Sequence, residues 1–263
     1  MIERGSHEPF FICPSRVAPR NLRPHGCSVF ATMQASLAAS AKCGKALYLM
    51  ENDTRAPSQS HPAWRWISDR GLRVETGDTT LTRYAALISL NLPEIEDIIP
   101  ADGCLFLIFR RGAGLSENLR SALIAPLAGK PATSGTLHEI AVEYGGVAGP
   151  DLPALAERAG LDAAAYINSH AAVEYSVAFL GFQPGFPYLH GLPCALHVPR
   201  RASPRLRVAA GSVAIGGGYT GIYPASGPGG WQIIGHTTAV IFDPQREAPA
   251  LLMPGDRVRF VPR

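Results

Sequence analysis

The 263-residue chain contains no Gly-Lys-Ser/Thr phosphate loop, no Cys-x-x-Cys pair, and no apolar run of the roughly 18 to 20 residues that a bilayer span requires. These absences remove P-loop nucleotide hydrolysis, zinc-ribbon architecture and an integral helical membrane protein from consideration. Charge is also scarce: 17% of residues are charged, and the formal net charge of +3 is spread without the dense Lys/Arg tracts that follow a phosphate backbone. Nucleic acid is therefore not an expected partner, nor is a membrane. The five cysteines, Cys13, Cys27, Cys43, Cys104 and Cys194, have no His at zinc-finger spacing beside them. No metal is expected, and an odd count of unpaired thiols suits a reducing cytoplasm. No Ser/His/Asp or Cys/His order indicative of a complete nucleophilic site emerges along the chain, so a self-sufficient active site is not expected.

What is abundant is glycine (27) and proline (23), in a chain that is 46% hydrophobic. That combination favours a turn-rich β architecture with a real core over a helical bundle.

Residues 1–49 stand apart: six Lys/Arg against two Asp/Glu, three of the five cysteines, and no sustained period of two or 3.6. Residues 1–63 are read as a leader that is disordered or mis-assigned, with translation expected to start at Met50. A signal peptide is disfavoured because Thr32, Gln34 and Ser36 interrupt "SVFATMQASLAASA".

From Trp64 to about Lys130 the chain has mixed α+β character. "GLRVETG" alternates as a half-buried strand, and "CLFLIFRRG" is a compact apolar run between Gly103 and Gly112. Between them, Leu81, Tyr84, Ala85 and Ile88 fall at helical spacing, and "SENLRSALIAPL" repeats that period with Ser116 as N-cap. Strand, helix, strand, helix define a small split βαβ-type unit. The second part, residues 131–263, follows the turn-rich "AGKPATSGT". "LHEIAVEY" is expected as a strand, followed by two short helices, the first with Asp151 as N-cap, Pro153 in its opening turn and Gly160 at its end. Beyond Val177 come short β-like runs, "YSVAFLGF", "LRVAAGSVAI", "WQIIGHT", "AVIF" and "DRVRFV", punctuated by Gly and Pro, as in an all-β barrel or sandwich. The fold class is thus an α+β N-terminal part followed by a mainly-β barrel.

One stretch imitates a nucleotide site. Gly216-Gly217-Gly218-Tyr219-Thr220-Gly221 satisfies G-x-G-x-x-G, and Asp243 follows where a ribose ligand would be sought. The fingerprint needs a helix after its glycines, whose N-terminus meets the pyrophosphate. Here Pro224, Pro228 and Gly229-Gly230 follow instead, and no helix accommodates them. Nine of the twenty-five residues from Gly211 to Gly235 are glycine. They read as tight turns and bulges, or as bare backbone offered to a carboxylate, phosphate or partner loop.

"EYSVAFLGFQPGFPYLHGL", "VPRRASPRLRVAAGSVAIGGGYTGIYPASGPGGWQIIGHT" and "LLMPGDRVRF" together resemble the family that holds the 5-oxoprolinase B subunit, the sporulation-kinase inhibitor KipI and subunit 1 of allophanate hydrolase. The resemblance runs from about Leu137 to Phe260, with a weaker match in "DRGLRVETG" and "IIPADGCLFLIFRRG". It implies a cyclophilin-like barrel preceded by a small α+β domain. It also implies a sister cyclophilin-like subunit and a lactam-utilisation subunit as partners, in an assembly that opens 5-oxoproline to L-glutamate with ATP held through the complex. The family's other activities imply two alternatives: carboxyl transfer from carboxybiotin to urea, and inhibition of a histidine kinase without catalysis.

The candidate catalytic residues are His170, His236 and Arg205. His236 stands where the family more often has Arg or Lys, and Tyr219 where Gln is more usual. The candidate substrate-binding set is Phe186, Tyr188, Arg205, Arg207, Gly217, Gly218, Tyr219, Thr220, Tyr223, Gly230 and Trp231. Alternation places Arg205 and Arg207 on one strand face, where a guanidinium fork suits an anionic substrate. The loop "GFQPGFPYLHG", stiffened by Pro184 and Pro187, is expected as an aromatic wall beside a ligand or as barrel packing.

Overall fold

The computed structural model describes residues 62–127 and 135–263. The expectations placed on residues 1–61, including the start at Met50, lie outside the described residues.

The first part begins with β1 (Trp64–Trp66) and β2 (Gly71–Glu75), then α1 (Thr80–Ser89), β3 (Ile95–Ala101), β4 (Cys104–Phe109) and α2 (Glu117–Ile124). The sheet order is β1-β2-β4-β3 with every pairing antiparallel. Because β4 lies antiparallel between β2 and β3, those two run parallel, joined by α1, which is the split βαβ arrangement. Leu72, Val74, Leu105, Leu107 and Phe109 turn to one face and pack with Leu87, Leu119 and Leu123 of the helices. Each such side chain contributes about 1.5 to 3 kcal/mol on burial.

Two details differ from the sequence expectation. Helix α1 buries Thr80, Arg83 and Leu87, whereas Ala85 and Ile88 face outward. Arg83 turns inward because its guanidinium donates to the open carbonyls of Ala122 and Ala125 at the end of α2, at 2.8 and 3.2 Å. A cation there satisfies C-terminal acceptors and complements the helix dipole. Strand β3 goes beyond the expected elements, since Glu96, Asp97 and Pro100 break its pattern. It is an edge strand with a bulge at Glu96, where a missing N–H and outward charges are tolerated. Ser116 caps α2 as expected, accepting from the Leu119 amide at 3.1 Å.

The second part contains β5 (Leu137–Tyr144), α3 (Leu152–Ala159), α4 (Ala163–Ala171), β6 (Glu174–Leu180), β7 (Pro187–His190), β8 (Arg205–Val208), β9 (Ser212–Gly216), β10 (Tyr219–Ile222), β11 (Gly227–Gly229), β12 (Gln232–His236) and β13 (Arg257–Pro262). Seven of these close into a barrel in the order β10-β7-β6-β13-β5-β12-β9, with β13 and β5 parallel. Strands β8 and β11 form a separate two-stranded ribbon. The barrel interior is a packed core of Ile140, Val142, Val177, Leu189, Val213, Ile215, Ile222, Ile234, Val258 and Phe260, with α3 and α4 adding Leu152, Leu155 and Tyr166.

The glycine fingerprint lies on a hairpin. β9 runs into the Gly217–Gly218 turn and returns as β10, so a strand stands where a dinucleotide site needs a helix. Gly221 is required there by contact: a Cβ would lie 2.7 Å from the Pro187 carbonyl oxygen. Gly160 closes α3 in the left-handed conformation, as expected. "AVIF" forms no strand; Phe242 makes only an isolated bridge to Ala250, beside the turn that Asp243 holds by accepting from the Gln245 amide. No helix among the described residues is long and apolar enough to cross a membrane.

Candidate functional site

Strand alternation decides what the outer wall of the barrel presents. Val213 and Ile215 of β9 point into the core, so Ser212 and Ala214 point out. On β5, Ile140 and Val142 point in and Glu143 points out. On β12 a bulge after Ile233 resets the alternation and leaves His236 outward. His236 is registered with Ser212 on one side and with Glu143 on the other. Cross-strand partners share a face with Cβ atoms roughly 4.5 to 5.5 Å apart, so Ser212, His236 and Glu143 form one row across three strands.

That row floors a cavity of about 420 Å³, whose other walls are Arg205, Arg207 and Val208 of β8 and the loop carrying Val147 and Pro150. A second cavity of about 310 Å³ shares Glu143 and His236 and adds Thr238 and Arg263. The His236 Nε2–H donates to the Ala210 carbonyl at 2.9 Å; because a carbonyl only accepts, Nε2 carries the proton and Nδ1 is left as the acceptor.

The two arginines have different roles. Arg205 donates to Asp151 Oδ1 at 2.8 Å, and Arg201 reaches the same oxygen at 3.3 Å. The Ile233 amide donates to Asp151 Oδ2 at 2.6 Å. One carboxylate therefore serves two guanidiniums and a backbone amide. This is why Asp151, at the start of α3, makes no cap hydrogen bond with its side chain, contrary to the sequence expectation. Arg207 donates through Nε to Ser226 Oγ at 3.0 Å, and among the described residues no carboxylate pairs with it. Its terminal nitrogens are the guanidinium donors left for an anion in the cavity.

Three of the sequence candidates, Arg205, Arg207 and His236, thus meet at one cavity. The others are distributed elsewhere. His170 is sealed in the barrel core at 0% exposure. Its Nε2 donates to Thr220 Oγ1 at 3.0 Å, its Nδ1 accepts from the Tyr144 hydroxyl at 2.8 Å, and its ring stacks on Phe260. Thr220, itself buried, donates its hydroxyl hydrogen to the Ala214 carbonyl. Burial pushes the His170 pKa down to about 3, so the ring is a neutral packing element. The structure thus places the candidates His170 and Thr220 in a closed core with satisfied partners, apart from the cavity that Arg205, Arg207 and His236 line.

Phe186, Tyr223 and Trp231 are buried together on the outer side of β9 and β10, ring edge against ring face, with Tyr188 half-buried beside them and stacked on Phe179 at 4.3 Å. They form a packed wall rather than an open ligand surface. Among the Phe and Tyr rings of that loop Phe182 alone is exposed, at 60% with a φ of 65°. Gly217 and Gly218 lie in the hairpin turn, and Gly230 lies between β11 and β12.

Tyr219 faces a different cavity, about 500 Å³, lined by Asp78, Thr80, Asp102, Ser176, Phe179 and His190. Burial first, and then Asp102, raise its phenol pKa, so it remains a proton donor. Glu143 and Ser212, which line the cavity, and Asp151, which holds Arg205, lie outside the sequence candidates. The alternation in "LHEIAVEY" identifies Glu143 as outward, but nothing local identifies its neighbour.

A closed barrel with this strand order, preceded by a split βαβ sheet, is a cyclophilin-like fold of carboxyltransferase type. The family described as "Carboxyltransferase domain, subdomain C and D" matches residues 62–252, and the chain belongs to it. The chain is 48% identical over 178 residues to the 5-oxoprolinase B subunit of Escherichia coli O157:H7, a match covering 66% of this chain and 81% of that protein. The crystal structure of TTHA0988 matches with a TM-score of 0.63 and 39% identity, over 74% of this chain and 40% of the other. The Kluyveromyces lactis urea carboxylase structure matches with a TM-score of 0.58 and 21% identity, over 80% of this chain and 22% of the other, which is a likeness of fold.

Proposed function

We propose that the chain is the B subunit of a 5-oxoprolinase, an assembly that converts 5-oxoproline, ATP and water to L-glutamate, ADP and phosphate. The observation that carries this reading is the cavity in which Arg207 stands, among the described residues, without a carboxylate partner beside Arg205 and His236. A guanidinium beside a polar, partly enclosed wall is suited to a carboxylate. The likeness to a protein named as the B subunit of 5-oxoprolinase supports 5-oxoproline as that acid. Nucleotide is assigned to the complex, because the chain has no phosphate loop of its own. A sister cyclophilin-like subunit and a lactam-utilisation subunit are the partners proposed, and the isolated chain is proposed to be inactive.

The test is reconstitution. The purified chain is mixed with its two partner subunits, and ADP release is followed with and without 5-oxoproline. Stimulation by the lactam, absent when this chain is omitted, is the expected outcome. Equal release without the chain removes the reading. Urea-dependent turnover with a biotinylated partner replaces it by the carboxyltransferase alternative, and slowed autophosphorylation of a histidine kinase replaces it by a regulatory one.

A further inference from the structure

From the row of side chains on β5, β12 and β9 we infer that His236 is the proton-transferring residue of the lactam-opening step, acting through Nδ1, with Glu143 as its positioning partner. This role deepens the function proposed above and rests on it.

Three observations place the imidazole for this role. The Nε2–H is spent on the Ala210 carbonyl, which leaves Nδ1 as a lone-pair nitrogen with no protein partner among the described residues. The ring is seated against Gly211, where a Cβ would come within 2.8 Å of Nε2, so the absence of a side chain at that position sets the imidazole's place. Glu143 stands in register beside it, and Ser212 flanks it on the other strand. The charged groups around the two cavities it lines are Glu143 from β5, Arg205 and Arg207 from β8, and Arg263 from the chain end after β13. Glu143 is the single carboxylate among them. A tethered acceptor nitrogen, a neighbouring acid and two arginines across the same cavity constitute a general acid–base arrangement beside an anion-binding wall.

The step starts from the lactam carbonyl oxygen carrying the γ-phosphoryl group of the ATP held by the complex, ADP having left, and water is the second reactant. Nδ1 takes a proton from a water molecule as its oxygen bonds to the lactam carbonyl carbon. The carbon–nitrogen bond then breaks, and the proton on Nδ1 passes to the departing ring nitrogen. The ring nitrogen becomes a free amine, a second water cleaves the acyl phosphate to carboxylate and phosphate with release of a proton, and His236 returns to its starting form. Glu143 stabilises the transient imidazolium, and the Ser212 hydroxyl offers the water a second anchor on the cavity floor.

The experiment compares wild type, His236→Gln and Glu143→Gln in the reconstituted three-subunit assembly, reading glutamate formation against pH. His236→Gln is expected to lower kcat by about 100-fold or more, with KM within about threefold, the usual scale for loss of a general base. Glu143→Gln is expected to lower kcat about three- to tenfold with KM within about threefold, and Glu143→Asp to restore part of the loss. A merely structural role lowers the unfolding midpoint and moves kcat and KM together. His236→Gln retaining half the wild-type kcat with an unchanged profile overturns the inference while leaving the proposed function intact.

A second measurement needs no turnover. Nitrogen-15 spectra of the full chain at neutral pH are expected to show His236 protonated at Nε2 and bare at Nδ1. The opposite tautomer overturns the assignment even where the assembly is active. If wild type turns over no 5-oxoproline, the function proposed above fails and takes this role with it, whatever the tautomer.

Discussion

The Tyr219 hydroxyl donates to Asp102 Oδ1 at 2.8 Å, across 117 residues of sequence, and so ties the barrel hairpin to the turn between β3 and β4 of the small sheet. Burial keeps the phenol protonated, so the link holds across neutral pH. Tyr219→Phe removes the hydroxyl and keeps the ring's edge contacts with Phe179 and Tyr188. The expected cost is about 1 kcal/mol, because Asp102 is solvated and recovers water on losing its partner. Urea unfolding measures it, and amide exchange at residues 101–103 should rise. An unchanged midpoint together with unchanged exchange contradicts the tie.

Asp151 is the counter-charge of Arg201 and of the cavity's Arg205, with a side chain only 12% exposed. Arg201 Nε and Arg205 Nη1 are buried without partners even in the intact protein. Asp151→Ala therefore leaves two guanidiniums facing each other. Removing one partner of a buried pair costs about 3 to 5 kcal/mol; with the arginines about a third exposed, about 2 kcal/mol is the expected loss. Asp151→Asn, which still accepts from the Ile233 amide, is expected to lose less. Chemical denaturation of both variants ranks them, and the reverse order contradicts this account.

Arg207 is the donor expected to be free for substrate. Arg207→Ala is predicted to raise KM for 5-oxoproline in the reconstituted assembly by about tenfold or more, the value of a charge-assisted hydrogen bond, with little change in thermal midpoint. Arg207→Lys should restore part of the affinity, since it keeps the charge and loses the fork. An unchanged KM in Arg207→Ala would show that the anion sits elsewhere.

His170 makes stability depend on pH. Its folded pKa of about 3 lies below the ordinary 6.5 because burial disfavours the cation. The unfolded chain binds the proton first, so the contribution is complete above about pH 6.5 and is lost as pH falls towards 3, at up to about 1.4 kcal/mol per pH unit. His170→Gln is expected to be less stable at pH 7, since the Tyr144 and Thr220 hydroxyls lose well-placed partners, yet flatter between pH 6.5 and 4. Parallel denaturation curves for wild type and variant over that range would contradict the assignment.

Much of the architecture is legible along the chain because it is local. Alternation marks "LHEIAVEY" and "DRVRFV" as strands, Pro153 and Gly160 bracket α3, Ser116 caps α2, and the prolines after Gly221 rule out the nucleotide fold. Where local signals compete with tertiary ones they mislead. Pro100 and Asp97 hide β3, whose edge position makes them acceptable. Arg83 turns a helix face inward because carbonyls on another helix need a donor. Asp151 leaves its cap for two arginines some fifty residues away.

The candidate site divides in the same way. Residue type and alternation alone place Arg205 with Arg207 and mark Glu143 as a polar residue on the outer face of its strand, whereas His236 faces outward only through the bulge after Ile233. That Glu143, His236 and Ser212 stand shoulder to shoulder, while His170 and Thr220 close a core and Tyr219 faces another cavity, is decided by barrel closure. Period two states which way a side chain points; it does not state which strand lies alongside. The neighbour and its register come from packing Val142, Val213 and Ile234 into one interior, a condition that no single strand contains.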